Sequence, residues 1–424
     1  MATVAEPGTR IIGATTWCPE RGLQADQVVH ILGGRICQDA GPDAHVVDAR
    51  GLWLVPAFVD LSAHLGDPGF LWRETLETGS RAGAAGGFGT VVAAPDTDPV
   101  IDRGALLANL EKRARGLDGA RVHFAGALTE GLAGADLAEI GCMVDAGAVA
   151  LSDGGRSVAD TLVLRRALEY AQKFGVPVIL RPSEPLLEVD GVMHEGAVAL
   201  RIGLRGLPTA SEEIGVARAI ALSRLTGAIL HLTGISSARA VVQVRAARAE
   251  GLPVTCSVPA RNLLLIDEDV ARSSYDTDLR LVPPVREEAD RQVLVDAVRA
   301  GDVMVGACHR PLSRVEKEHE FERSMPGAAG LETAFAATLT ALDGDMPATV
   351  RALSSLPAAV LGKTATLLPG APADLALVDP DARQAATAPR HSKGVNEPLA
   401  GRVLQGAVKA TMVSGTWAFD TLAM

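Results

Sequence analysis

The stretch VPAFVDLSAHLGDPGF, residues 55–70, decides the fold. Leu52-Trp53-Leu54-Val55 followed by Ala57-Phe58-Val59 has too little polarity for a strand with one wet face, so it reads as the first strand of a parallel barrel, covered on both sides. In such barrels the chemistry sits at the C-terminal ends of the strands. That places Ser62, His64 and Gly66 at the mouth, with Asp60 and Asp67 beside them.

Working outward, the same alternation of apolar run and amphipathic segment recurs. Gly89–Ala94, Val122–Ala125, Ala148–Leu151, Pro177–Leu180, Ala228–Leu232, Pro253–Val258 and Val303–Ala307 read as further strands, and with Leu54–Leu61 they make eight. Between them, Asp160–Lys173 and Ala210–Thr226 carry the three-to-four spacing of helices, so a (β/α)8 TIM barrel over residues 56–365 is the economical assignment. Both ends differ from this centre. Short β-like pieces separated by Gly and Pro turns occupy residues 1–55, and Ala373–Asp379, Lys409–Val413 and Ser414–Trp417 echo them in 366–424, which predicts a small β-sandwich domain built from both termini.

Composition narrows the class of partner. A net charge of −11 with basic residues scattered among acidic ones excludes a nucleic-acid footprint and a membrane-surface patch. Cys18, Cys37, Cys142, Cys256 and Cys308 are far apart and odd in number, against both a disulfide framework and a structural zinc cluster. The opening MATVAEPGTR lacks a signal pattern, and no run of about 18 apolar residues occurs. A cytoplasmic protein is expected.

With Pro56, Phe58, Asp60, His64, Pro68 and Gly69 in frame, the opening stretch resembles the metal-binding signature of the dihydroorotase branch of the amidohydrolase superfamily, P-G-F-I-D-x-H-x-H-x-R-x-P-G. The resemblance continues through Ala94-Pro95-Asp96-Thr97-Asp98-Pro99, Ser152-Asp153-Gly154-Gly155, His194-Glu195-Gly196, Glu212-Glu213, Tyr275-Asp276-Thr277, Pro283-Pro284-Val285-Arg286 and Gly330-Leu331-Glu332-Thr333. It implies an amidohydrolase barrel with six ligands for a metal pair. Of these only His64 is kept: Ser62, Gly154, Arg181, Gly234 and Cys308 stand at the others, although a one-residue shift of register would bring Asp153 to the place of Gly154. A neutral hydroxyl binds zinc feebly, Gly offers no side chain, and a permanent cation at Arg181 repels a dication. The substrate positions are altered as well, with Gly66 at an Arg, Asp96 and Asp278 at Asn residues, and Leu312 at a His.

Read by themselves, His64 is a hydrogen-bonded mouth histidine, Asp60 orients local backbone, and Cys308 is a buried small residue. Arg181, Arg261 and Arg310 either pair with Asp96 and Asp153 or receive an anion. The resemblance then implies a dihydroorotase-like chain without metals or activity, similar to the catalytically inactive homologues that partner aspartate carbamoyltransferase in bacterial pyrimidine synthesis, in a homo- or hetero-oligomer and with no cofactor. The alternative is an active cyclic amidase of dihydroorotase, hydantoinase or allantoinase type with a rebuilt single zinc site on His64, Cys308 and His309. A second alternative is an anion-binding sensor.

Overall fold

The computed structural model describes residues 8–422; residues 1–7, on which the absence of a signal pattern was read, lie outside it, as do residues 423–424. The apolar run that opens the barrel is two strands in two sheets. Trp53–Pro56 runs parallel to Thr9–Cys18 on one side and antiparallel to Leu375–Ala385 on the other, with Leu54 opposite Thr16 and Leu377. It thereby joins the two chain ends in one eight-stranded sheet, extended by Gly22–Leu32, Arg35–Cys37 and His45–Asp48, the last parallel to Thr9–Cys18, on the N-terminal side and by Val403–Val413 and Thr416–Asp420 on the C-terminal side. Pro56 ends that strand because it has no N–H to extend the ladder. At Ala57 the chain changes sheets: its N–H donates to Asp374 O at 3.0 Å, and the next N–H, of Phe58, donates to Gly87 O at 2.9 Å.

Phe58–Ala63 is the first of eight strands paired in sequence order in parallel, followed by Phe88–Ala93, Arg121–Ala127, Ala150–Ser152, Val178–Leu180, Leu230–Thr233, Val254–Pro259 and Met304–Gly306. The expected eight-stranded barrel is present, nearly closed. Its strands are buried on both faces, as in Phe88–Ala93, where every residue is buried. The seam between the first and last strands carries no ladder among the described residues. A side chain crosses it instead: Asp60 Oδ1 accepts from Ala307 N at 2.7 Å, and the backbone N–H of His64 donates to His309 O at 2.8 Å. Burial pushes the Asp60 carboxyl up, opposed by the N–H groups of Ala307 and Ser62.

The helices follow the sequence reading. Thr161–Phe174 is capped by Asp160, whose carboxylate accepts from Leu162 N and Val163 N, and it ends at left-handed Gly175. Thr209–Thr226 lies so close to the loop after the fifth barrel strand that a Cβ on Gly215 would sit 2.3 Å from Ser183 N; only glycine permits that approach.

Candidate active site at the barrel mouth

The first two barrel strands are neighbours, so the residues following them meet. His64 Nδ1 lies 2.7 Å from both carboxylate oxygens of Asp96, although the two are 32 residues apart. Asp96 accepts the Nδ1–H, which leaves the lone pair on Nε2. Among the described residues Nε2 makes no hydrogen bond, and the His64 side chain lines a cavity of about 40 Å³ with Ser62, Gly155, Arg181, Thr233, Cys308 and Arg310, room for a water or two. Burial would raise the Asp96 carboxyl, but the charge and hydrogen bond of His64, with Arg310 nearby, pull it down to about 2.

Arg310 completes the group. Its guanidinium stands 3.9 Å from Asp96 Oδ2, is about a third exposed, and makes no hydrogen bond among the described residues. Burial and the neighbouring Arg73, Arg181 and Arg156 lower its pKa against the pull of Asp96. Arg181 is committed elsewhere: Nη1 and Nη2 grip the Glu188 carboxylate at 3.0 and 2.7 Å, and Nε donates to Gly155 O at 3.1 Å. Burial works against its charge, and Glu188 outweighs burial. Arg261 is buried, and its Nη1 donates to the carbonyls of Ala307 and Cys308 while Nε has no partner among the described residues. Of the three arginines read as possible anion contacts, Arg310 alone has a guanidinium with no hydrogen bond among the described residues, and it is partly exposed.

The Cys308 thiol is pushed up to about 11 by burial, against the charge of Arg261, and so stays protonated at neutral pH. His309 turns away from the cavity. Its ring is fully buried, with Nε2 3.2 Å from Glu74 Oε2 and Nδ1 accepting from Leu331 N, so His64, Cys308 and His309 do not converge as a ligand set. Leu312 is buried, Gly66 has a left-handed φ of 67°, and Asp278, raised to about 6 by burial, faces Lys317.

The donor set at the mouth does not fit the zinc pair implied by the family resemblance. A Cβ on Gly154 would meet Leu132 Cδ1 at 2.8 Å and Asp96 Cβ at 3.2 Å, and one on Gly234 would meet Pro283 Cδ at 3.2 Å, so the spaces of two lost ligands have closed. Among the described residues, one group of three possible ligands has its donor atoms within 4.8 Å of one another: His194, Asp267 and Glu287. Arg286 donates to His194 Nδ1 at 3.1 Å, so Nε2 holds the ring proton and neither nitrogen presents a lone pair to a cation.

Asp153, the residue one step from the lost ligand, is buried and raised to about 6 by that burial, partly offset by Gly155 N–H and the Arg181 charge. The folded protein therefore holds a proton on it that the unfolded chain releases near pH 3.8. This contribution is fully present below pH 3.8 and lost as pH rises through 6. Asp153→Asn should flatten the loss by roughly 2–3 kcal/mol between pH 4 and 8, read as the urea midpoint of variant against parent at each pH.

His64 and Cys308 were legible as mouth residues. The pairing of His64 with Asp96 was missed because Asp96 was read against a substrate anion or as a partner of the mouth arginines; the signal available was that both follow adjacent parallel strands. Glu188 and Glu74 carry no sequence signal of their roles.

The barrel with its terminal sheet defines an amidohydrolase-type fold. It matches the L-hydantoinase (dihydropyrimidinase) of Arthrobacter aurescens with a TM-score of 0.87 at 22% identity, over 97% of this chain and 96% of that one, and the dihydropyrimidinase of Brevibacillus agri with a TM-score of 0.82 at 22% identity, over 97% and 95%. The model of the dihydro-orotase-like family matches residues 51–240. Proteins named dihydroorotase from Anaeromyxobacter dehalogenans (strain 2CP-1) and Solibacter usitatus are 42% and 40% identical, over 94% and 91% of this chain and 94% and 92% of theirs. The chain belongs to the dihydroorotase-like family.

These relatives overturn the expectation of a non-catalytic subunit, because a chain alike over nearly its whole length to proteins named dihydroorotase points to a cyclic amide hydrolase. The physical reason is that a count of lost ligands weighs against one mechanism, the metal pair. It is silent on what other groups the same mouth assembles. No helix among the described residues is long and apolar enough to cross a membrane.

Proposed function

We propose that this chain hydrolyses a cyclic amide of the dihydroorotate or hydantoin type in the cytoplasm, with His64 as general base. The observation that carries the reading is the His64–Asp96 pair at the barrel mouth, with Nε2 unengaged in a ring that lines the cavity, in a chain 42% identical to a protein named dihydroorotase. Asp96 fixes the tautomer and stabilises the imidazolium that forms. Water attacks the ring carbonyl and gives its proton to Nε2. Arg310, with free donors, faces the developing oxyanion. As the C–N bond breaks, Nε2 returns the proton to the leaving nitrogen, so ring opening yields one carboxylate and one N–H.

The cavity of about 40 Å³ does not hold a ring, so substrate entry requires its lining to open. In the test, the purified chain is offered dihydroorotate and hydantoin while its zinc content is measured on the same sample. Ring opening that survives chelation is the expected result. Failure to open either ring would end the proposal, and activity that tracks bound zinc would move the chemistry to a metal. Association with aspartate carbamoyltransferase, as an active subunit, is a secondary proposal resting on the family resemblance; light scattering of the co-expressed pair tests it, with separate peaks the result against it.

A further inference from the structure

A cavity of about 710 Å³ lies at the opposite end of the barrel from the mouth. It is walled by the N-terminal ends of the first three barrel strands on one side and by the terminal sheet on the other. Its volume is in the range of small-metabolite sites. Its lining carries Arg35, Arg121 and Lys363 against one carboxylate, Asp374, in a chain whose net charge is −11. The positive surplus is therefore local to this cleft and opposes the charge of the whole molecule.

The cationic groups differ in how far they are already committed. Arg121 grips Asp374 at 3.1 and 3.2 Å and donates to Ser414 Oγ at 2.6 Å, and Arg35 donates to Gly370 O at 2.7 Å. Lys363 is not so bound. Its Nζ has a single partner among the described residues, His123 Nε2 at 3.2 Å, leaving two of its three N–H donors unused. Lys363 is exposed at the cleft, and partial desolvation with the nearby Arg121 lowers its pKa against the pull of Asp374 and Glu111. Glu111 stands behind His123, 3.9 Å from Nδ1, and does not line the cavity. Phe58, Val59 and Ala358 supply an apolar wall beside these donors.

We infer that this cleft binds the phosphate group of a small metabolite, with Lys363 as the principal donor, Arg121 and His123 flanking it, and the apolar wall covering the body of the ligand. The two unused N–H donors of Lys363 beside the Arg121 guanidinium suit a phosphate better than a single carboxylate, because its several oxygens can accept from both. The site is independent of the chemistry at the mouth.

Calorimetric titration of the full chain with AMP, ribose 5-phosphate, inorganic phosphate and adenosine tests this. Saturable binding of at least one phosphate-bearing probe, with none of adenosine, is expected. A preference for AMP or ribose 5-phosphate assigns a phosphate monoester, and equal affinity for inorganic phosphate assigns the free anion. Lys363→Met should weaken binding about tenfold or more, while Lys363→Arg should keep it within about threefold. His64→Ala should leave it unchanged, since His64 lies at the other end of the barrel. The inference is overturned if no phosphate-bearing probe binds at millimolar concentration, if a folded Lys363→Met chain binds as the parent does, or if His64→Ala abolishes binding.

Discussion

His64→Ala lowers kcat for ring opening by about 10²–10⁴-fold, the usual contribution of a positioned general base, with KM changed far less. The reason is positional. Asp96 holds Nδ1 at 2.7 Å through both oxygens, and Nε2 is the unengaged nitrogen at the cavity. Removing the ring takes away the proton acceptor and leaves Asp96 with Arg310 at 3.9 Å as its remaining ionic partner. Asp96→Asn should also lower kcat, because a side-chain amide can donate to Nδ1 and so favour the tautomer with its proton on Nε2. Steady-state kinetics on both variants, with circular dichroism to confirm the fold, check this. A His64→Ala chain within threefold of the parent would remove His64 from the mechanism while leaving the cyclic amidase reading to other residues.

The largest expected effect on stability is at Glu74. This fully buried carboxylate accepts from His309 Nε2 at 3.2 Å and Lys393 N at 3.1 Å, and also from the hydroxyls of Thr78 and Ser392. Burial pushes its pKa up, but the hydrogen bond and charge of His309 and the two hydroxyls outweigh it, so the net shift is downward. The stabilisation is therefore present above the ordinary carboxylate range and lost as pH falls through the folded value. Glu74→Ala strands these donors in a dry site and should cost about 3–5 kcal/mol, seen as a lower urea midpoint with little change in slope. A loss under about 1 kcal/mol would mean that water replaces the carboxylate.

These two residues mark the division between what was legible in the sequence and what was not. The barrel was legible because a strand covered on both faces must be apolar throughout, and eight such runs separated by helical spacing leave few other architectures. The mouth was legible for the same local reason: Ser62 lies at the end of a strand, His64, Asp153, Arg181 and Cys308 each follow one, and the chemistry of parallel barrels sits there. Even so, the first apolar run was read as one strand where the structure makes two, because which sheet each half joins is set by partners from Thr9–Cys18, Leu375–Ala385 and Phe88–Ala93.

What a side chain touches at the mouth was decided only by tertiary structure. Arg181 was read as a cation awaiting Asp153 or an anion, and it is held by Glu188; His309 was offered as a ligand, and it is buried against Glu74, 235 residues earlier. The functional misreading had the same origin. Sequence alone established which ligands of a metal pair are missing, since identity at a position is local information. That His64 and Asp96 meet, with Arg310 beside them, depends on the order and spacing of parallel strands, which pair residues remote in the chain and which no count of substitutions contains.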